Sequence, residues 1–250
     1  MKISTPFFIL SAVAFLSACA PANSLNQSLT QPDDAGKEPI KLEATADVLR
    51  SAQEIAQLNF QQPNLSAPQQ DQILSSYAFV DPNHVVPDQL LKDALLYYNA
   101  NLSKLSNKAY VTVVDFSQYS ANARLYIINM STGAVWAIHV AHGSGSDPGF
   151  SGYATKFSNV SGTNASSLGY YKTAETYSGN HGLSLRLDGL SSTNTNVRQR
   201  DIVVHGASYV YDSNQKAGRS WGCLAVSMAN RSKVIQYIKS GSLIYAGLSK

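Results

Sequence analysis

Apolar positions along the chain change their period near residue 110. From Pro87 to Asn107, "PDQLLKDALLYYNANLSKLSN", Leu90, Leu91, Ala94, Leu95, Tyr98, Leu102 and Leu105 recur at steps of three and four. That spacing predicts an amphipathic helix, with Pro87 and Asp88 suited to its first turn. Beyond it, "YVTVVDFS", "ARLYIINM" and "AVWAIHVAHG" are β-branched and aromatic runs. The cluster "NMSTG" between the last two predicts a hairpin turn. Further strands are predicted in "HGLSLRLDGL", "DIVVHGASYV" and "SLIYAG", the first with Leu183, Leu185 and Leu187 on one face and Ser184, Arg186 and Asp188 on the other. "SMANRSKVIQYIKSG" predicts one more helix, capped by Ser227. The fold expected is mainly β, mostly antiparallel, with peripheral helices. No internal repeat is visible.

Upstream of this region the pattern dissolves. Residues 20–70 are rich in Pro, Asn, Gln, Ser and Ala, with Pro21, Pro32, Pro39, Pro63 and Pro68, and they read as a flexible tether carrying at most a short helix over 42–58. The composition places the domain boundary near Asp71, giving 19–70 as tether and 71–250 as a folded domain. Residues 1–18 have Lys2 followed by an apolar run from Pro6 to Leu16, the layout of a secretory signal and too short for a confident membrane span. The net charge is +3, falling to +2 if Lys2 is removed with a leader. So small a balance, without basic runs interleaved with aromatics, gives no reason to expect nucleic acid as a partner.

The chain has two cysteines, Cys19 and Cys223. "LSAC", Leu16 to Cys19, resembles the lipobox of bacterial lipoproteins, in which the cysteine is acylated and becomes the new N-terminus. Each buried acyl methylene adds about 0.8 kcal/mol to such an anchor. The resemblance, with no acidic residue at Ala20, implies a periplasmic protein anchored through Cys19 to the outer membrane. Cys223 then has no partner in its own chain. It is either a buried small hydrophobe or a nucleophile that needs a base and oxyanion donors. Its segment, "GRSWGCLAV", carries Gly218 and Gly222. Gly222, directly before the thiol, leaves room for a substrate carbonyl. "VVHG" places His205 at a strand end followed by Gly206, eighteen positions before Cys223, so the two meet only if the chain folds back.

His-Gly, a gap of this size, then Ser-x-Gly-Cys is similar to the signature of YkuD-type L,D-transpeptidases. The frame "VVHGASYV…GRSWGCLAV", with "VAHGSGSDPG" and "ATKFSNVSGTNASSLGYYKTAETYSGNHGLSLRLDGL", resembles the murein L,D-transpeptidase catalytic domain over roughly residues 85–250. The resemblance implies an L,D-transpeptidase-like β-sandwich acting on peptidoglycan stem peptides without a cofactor. Cys223 would be the acylated nucleophile and His205 the general base. Ser220 would occupy the Ser/Thr position of the motif, with Gly222 and Cys223 offering amides to the oxyanion. The chain departs from the broader family at Trp221, where a second histidine is usual, and at Ala225, where Asn or Arg is.

Other candidates are weaker. Trp221 can wall the thiol, His142 and His181 can line a cleft, and Arg186, Arg219 and Asp188 can meet substrate carboxylates and amines or serve as ordinary solvated charges. A zinc set of His142, His181 and His205 finds no supporting spacing. Tyr170 and Tyr171 pack either on substrate or in the core, and His84 and His139 read as ordinary. The outcomes compatible with this reading are transfer to an acceptor amine and hydrolysis of stem-peptide or lipoprotein links. A catalytically silent wall-binding lipoprotein is the rival from another class.

Overall fold

The expected hairpin forms because its residues sort cleanly between two apolar environments. The computed structural model describes residues 59–250, so the leader, Cys19 and the 42–58 helix lie outside the described residues. Strands β1 (Tyr110–Asp115), β2 (Leu125–Asn129) and β3 (Val135–Ile138) form an antiparallel meander. Val111, Val113, Tyr126 and Ile128 face one cluster, while Val114, Leu125 and Ile127 face another. The Asn129 side-chain oxygen accepts the Ser131 and Thr132 amides, and Gly133 takes φ +75°, which together turn the chain between β2 and β3.

The remaining strands are β4 (Gly169–Gly179), β5 (Gly182–Gly189), β6 (Val203–Ala207), β7 (Leu224–Ser227) and β8 (Leu243–Gly247). All eight lie in one sheet of order β3-β2-β1-β8-β4-β5-β6-β7, with only β1–β8 and β6–β7 parallel. The sheet then curls until its two edges meet. Past β3, the Ala141 amide donates to Ala225 O (2.8 Å), the Ser220 amide to His142 O (2.9 Å) and the Ser144 amide to Ser220 O (2.7 Å). The fold is thus mainly β with few helices, as expected, and the two facing layers of the expected sandwich belong to a single near-closed sheet.

Helices cover it from two sides. Helix α2 (Asp88–Ala100) buries Leu90, Ala94, Leu95, Tyr97 and Tyr98 against the outer face of β1, β2 and β8. Helix α3 (Arg231–Ile238) sends Val234, Ile235 and Ile238 into the interior cluster with Leu185, Leu187, Leu224 and Val226. Tyr170 stacks between Tyr97 (3.7 Å) and Tyr245 (4.5 Å), and Tyr171 is buried with its hydroxyl on Ser167 O, so both tyrosines belong to the core.

Four expectations shift. The helix expected to reach Asn107 stops at Ala100, leaving only a short 3-10 turn over Leu102–Lys104. Buried Asn101 stops it: its amide nitrogen donates to Tyr97 O (3.0 Å) and Gln61 O (2.9 Å), and its oxygen accepts the Gln61 amide (2.9 Å). Packing also begins before Asp71. Phe60 stacks on Tyr97 at 6.4 Å, and helix α1 (Ala67–Ser75) runs across the expected boundary. Ser227 ends β7 rather than capping α3, because a turn intervenes in which its Oγ accepts the Asn230 amide and donates to Asp212. Strand β4, like β7, has no counterpart among the strands read from the sequence. Its second half, Glu175–Gly179, is polar and follows a register shift between Thr173 and Thr176.

Replacing Asn101 with Ala should lower stability by about 1–3 kcal/mol, since it removes the three hydrogen bonds that this buried side chain makes to Tyr97 O and to the Gln61 main chain. The denaturant midpoint should fall at unchanged m-value.

Candidate active site

Cys223 stands one residue before β7, inside a turn built by Ser220. The Ser220 hydroxyl donates to Cys223 O (2.8 Å) and accepts the Gly222 amide (3.1 Å). Gly222 has φ +116°, and a Cβ there would lie 2.7 Å from both Ala165 O and the Ile202 side chain. Across the seam, a Cβ on Gly143 would come within 2.8 Å of Gly222 Cα. The glycine before the thiol is therefore required by backbone packing within the protein. In this turn its amide is spent on Ser220, which corrects the expectation that it stands ready for an oxyanion.

The residue is partly exposed, yet its sulfur is poorly solvated. Desolvation pushes the thiol up to about 11; the Val203 amide and the Arg200 charge oppose this, and the Asp201 charge adds to it. At neutral pH the sulfur holds its hydrogen and lies 3.5 Å from Asp201 O.

His205 lies in the middle of β6, paired in register with Ala225 of β7. Their neighbours Val204, Leu224 and Val226 enter the interior cluster. By alternation, His205, Ala225 and the Cys223 position share the opposite side of the sheet. The chain does fold back as the spacing demands, through a parallel β6–β7 crossover. His205 Nδ1 lies 3.1 Å from Gly206 O, and a carbonyl only accepts, so Nδ1 carries the hydrogen and neutral His205 keeps its lone pair on Nε2. The imidazole is buried, with 2% exposure. His181, exposed at the tip of the β4–β5 hairpin, stacks on it at 4.2 Å and 25°.

The other expected residues are held by protein partners. Arg186 pairs with Glu175 (3.3 Å) and Asp201 (3.1 Å) and lies over the Tyr177 ring at 4.4 Å. Asp188 pairs with Arg198, which also binds Glu175 (2.7 Å). Arg219 donates to Asp147 O (2.6 Å) and Pro148 O (3.3 Å) and covers Phe150. Trp221 is partly exposed next to the cysteine turn. His139 contacts Ala121 O, and His84 is exposed beside Asp88.

His142 is the clear departure. With 1% exposure it lines no cleft. Fully buried Arg124 donates to its Nδ1 (2.7 Å) and to Val140 O, leaving Nε2–H 3.4 Å from Asp147. Burial and the Arg124 charge push its pKa down to about 3. With that nitrogen occupied, the three-histidine set is not assembled, and among the described residues no group of three or more His, Cys, Asp or Glu is placed to hold a metal. Three neighbours of the thiol went unread in the sequence: Asp201, Arg200 and Tyr177. Arg200 donates to Ala165 O, Ser158 O and Ser167 Oγ, and Asp201 reaches the sulfur through its main chain, so neither contact leaves a residue pattern.

The unfolded chain protonates His142 near pH 6.5, the folded chain only near 3. Between these values the unfolded state binds the extra proton, so this contribution to stability is whole above about 6.5 and declines as pH falls toward 3. His142→Asn, which keeps an acceptor for Arg124, should flatten that acid slope in urea titrations at pH 4 to 7.

Comparison with known proteins follows the same lines. Solved structures similar to this chain include an L,D-transpeptidase from Mycobacterium smegmatis (14% identity, 56% of this chain and 58% of that chain, TM-score 0.35). L,D-transpeptidase 1 of Mycobacterium tuberculosis (12%, 55% and 61%, 0.31) and an L,D-transpeptidase from Stackebrandtia nassauensis (12%, 82% and 91%, 0.34) are also similar. The chain spans less than two thirds of the length of the two mycobacterial chains. No curated protein is significantly similar in sequence. The sequence profile of the L,D-transpeptidase catalytic domain matches residues 83–246, from just before α2 to the end of β8. With site and strands inside that span, the chain belongs to the L,D-transpeptidase catalytic domain family.

Proposed function

We propose that the protein is a cysteine-dependent acyltransferase acting on peptidoglycan stem peptides. The observation that carries this is the 3.1 Å contact of His205 Nδ1 with Gly206 O: a carbonyl only accepts, so in the neutral ring Nε2 is the basic nitrogen, on a strand residue whose register partner Ala225 lies two positions after Cys223. A thiol with its pKa near 11 needs such a base at the moment of attack, because it is not ionised at rest.

In this reading Cys223 Sγ attacks the carbonyl carbon of the third stem residue as His205 Nε2 takes the thiol hydrogen. The C–N bond to the terminal D-amino acid then breaks, and His205 returns the proton to the leaving amine. The thioester passes to the side-chain amine of a second stem, giving a 3→3 cross-link, or to water, giving hydrolysis. How firmly an acceptor amine is held relative to water decides between them. The Gly222 amide reaches the oxyanion only once Ser220 releases it. Trp221, His181, Arg186 and Arg219 border this chemistry, the last two through the loops they brace. The domain works at the end of a tether that starts at Cys19 and ends before the packed Phe60, lipid-anchored through Cys19 on the periplasmic side of the outer membrane.

A carbapenem should form a mass adduct at Cys223 that is absent in Cys223→Ala and at least about a hundredfold slower in His205→Ala. No adduct at any pH would instead favour a wall-binding protein. In cells, 3→3 dimers should disappear with Cys223→Ala, and tripeptides without such dimers would mark a hydrolase. Cys19→Ser should move the protein from the membrane to the soluble fraction.

A further inference from the structure

Asp201 adopts φ +52°, a left-handed conformation uncommon for a residue with a side chain. Its amide donates to Arg198 O (3.1 Å), closing the loop just before β6. Two ends of the same residue then bear on the reactive sulfur. The main-chain oxygen lies 3.5 Å from Cys223 Sγ, and the carboxylate is held 3.1 Å from Arg186 Nη1. Arg186 is itself fixed by Glu175 and by the face of Tyr177. The charged and titratable groups that act on the thiol are Asp201 and Arg200 of this loop and Tyr177 of β4, with Arg186 of β5 acting through Asp201; the stacked imidazoles of His205 and His181 lie on the neighbouring strand β6 and the β4–β5 hairpin tip.

We propose that Asp201 is a positioning residue for Cys223: its main-chain carbonyl receives the thiol hydrogen, and its carboxylate, clamped by Arg186, sets how much negative charge faces the sulfur. The strained loop aims the S–H away from idle ionisation, and the Arg186–Asp201 pair tunes how readily the hydrogen leaves. Arg186 thereby acts on the thiol at one remove. This rests on Cys223 being the nucleophile, but its test does not require turnover.

The test is the rate of iodoacetamide alkylation at Cys223 in the full chain between pH 6 and 11, read on the Cys223 peptide by mass spectrometry so that Cys19 does not interfere. Asp201→Asn tolerates the left-handed conformation and removes the charge; alkylation at pH 7.5 should rise about two- to fivefold and the midpoint should move down. Arg186→Gln leaves the carboxylate uncompensated, so alkylation should slow and the midpoint rise, with Arg186→Lys restoring it. General loosening of the fold would accelerate both variants. Shifts in the same direction, or none, in proteins that melt as the parent does would overturn the proposal. Should Asp201→Asn fail to fold, Asp201→Gly, which accepts the same φ, gives the same readout. Carbapenem adduct formation, followed separately, reports on the nucleophile itself: its presence with unresponsive alkylation removes Asp201's role alone.

Discussion

The structure depends on one seam. An eight-stranded sheet would expose two rows of unpaired amides and carbonyls, and here the stretch after β3 pairs with the stretch leading into β7. A Cβ on Gly143 would collide with the Gly222 backbone and with Asn164 O, and one on Gly222 with Ala165 O and the Ile202 side chain. Beneath the seam, Arg124 gives Nε and Nη2 to Val140 O and Nη2 also to His142, so a fully buried cation holds three consecutive residues in line for closure. Such a cation is costly to bury unless its donors are used, and here the carbonyls of Val140 and Gln118 and an imidazole use them. The cysteine sits on the closing stretch, so barrel closure and placement of the thiol are the same event.

That arrangement separates what the residues disclose from what they conceal. The β2–β3 hairpin, the Leu183–Leu187 alternation and the amphipathic face of α2 are legible because each expresses its own period against an apolar core. Strand β4 is hidden because its outer half is polar and hydrogen-bonds mainly to β5. The end of α2 is hidden because a side chain forty positions from its partner sets it, Asn101 clasping Gln61. At the site, the spacing of His205 and Cys223 is visible because a parallel crossover requires an intervening connection of that order. The burial of His142 is not visible, since "VAHGSG" looks alike whether the imidazole faces solvent or Arg124.

The surroundings of the sulfur also explain why it need not be an ion at rest. An imidazolium beside the thiol would favour a standing thiolate. Here desolvation outweighs Arg200 and the Val203 amide, and His205 Nδ1 contacts the Gly206 carbonyl. A thiol in this state resists oxidation, because the thiolate is the form that oxidants attack.

The order of the strands has a further consequence. β8 is made last of the eight but lies fourth in the sheet, joining β1 on one side and β4 on the other. Until it arrives, the two halves of the sheet have no shared hydrogen bonds at that position, and Ile244 and Ala246 are missing from the interior. The pairing of the two halves is thus non-local, of the kind that raises contact order, and it waits for a keystone strand. A nascent chain remains an incomplete shell, without the strand that joins its two halves, until nearly every residue of the domain has been synthesised.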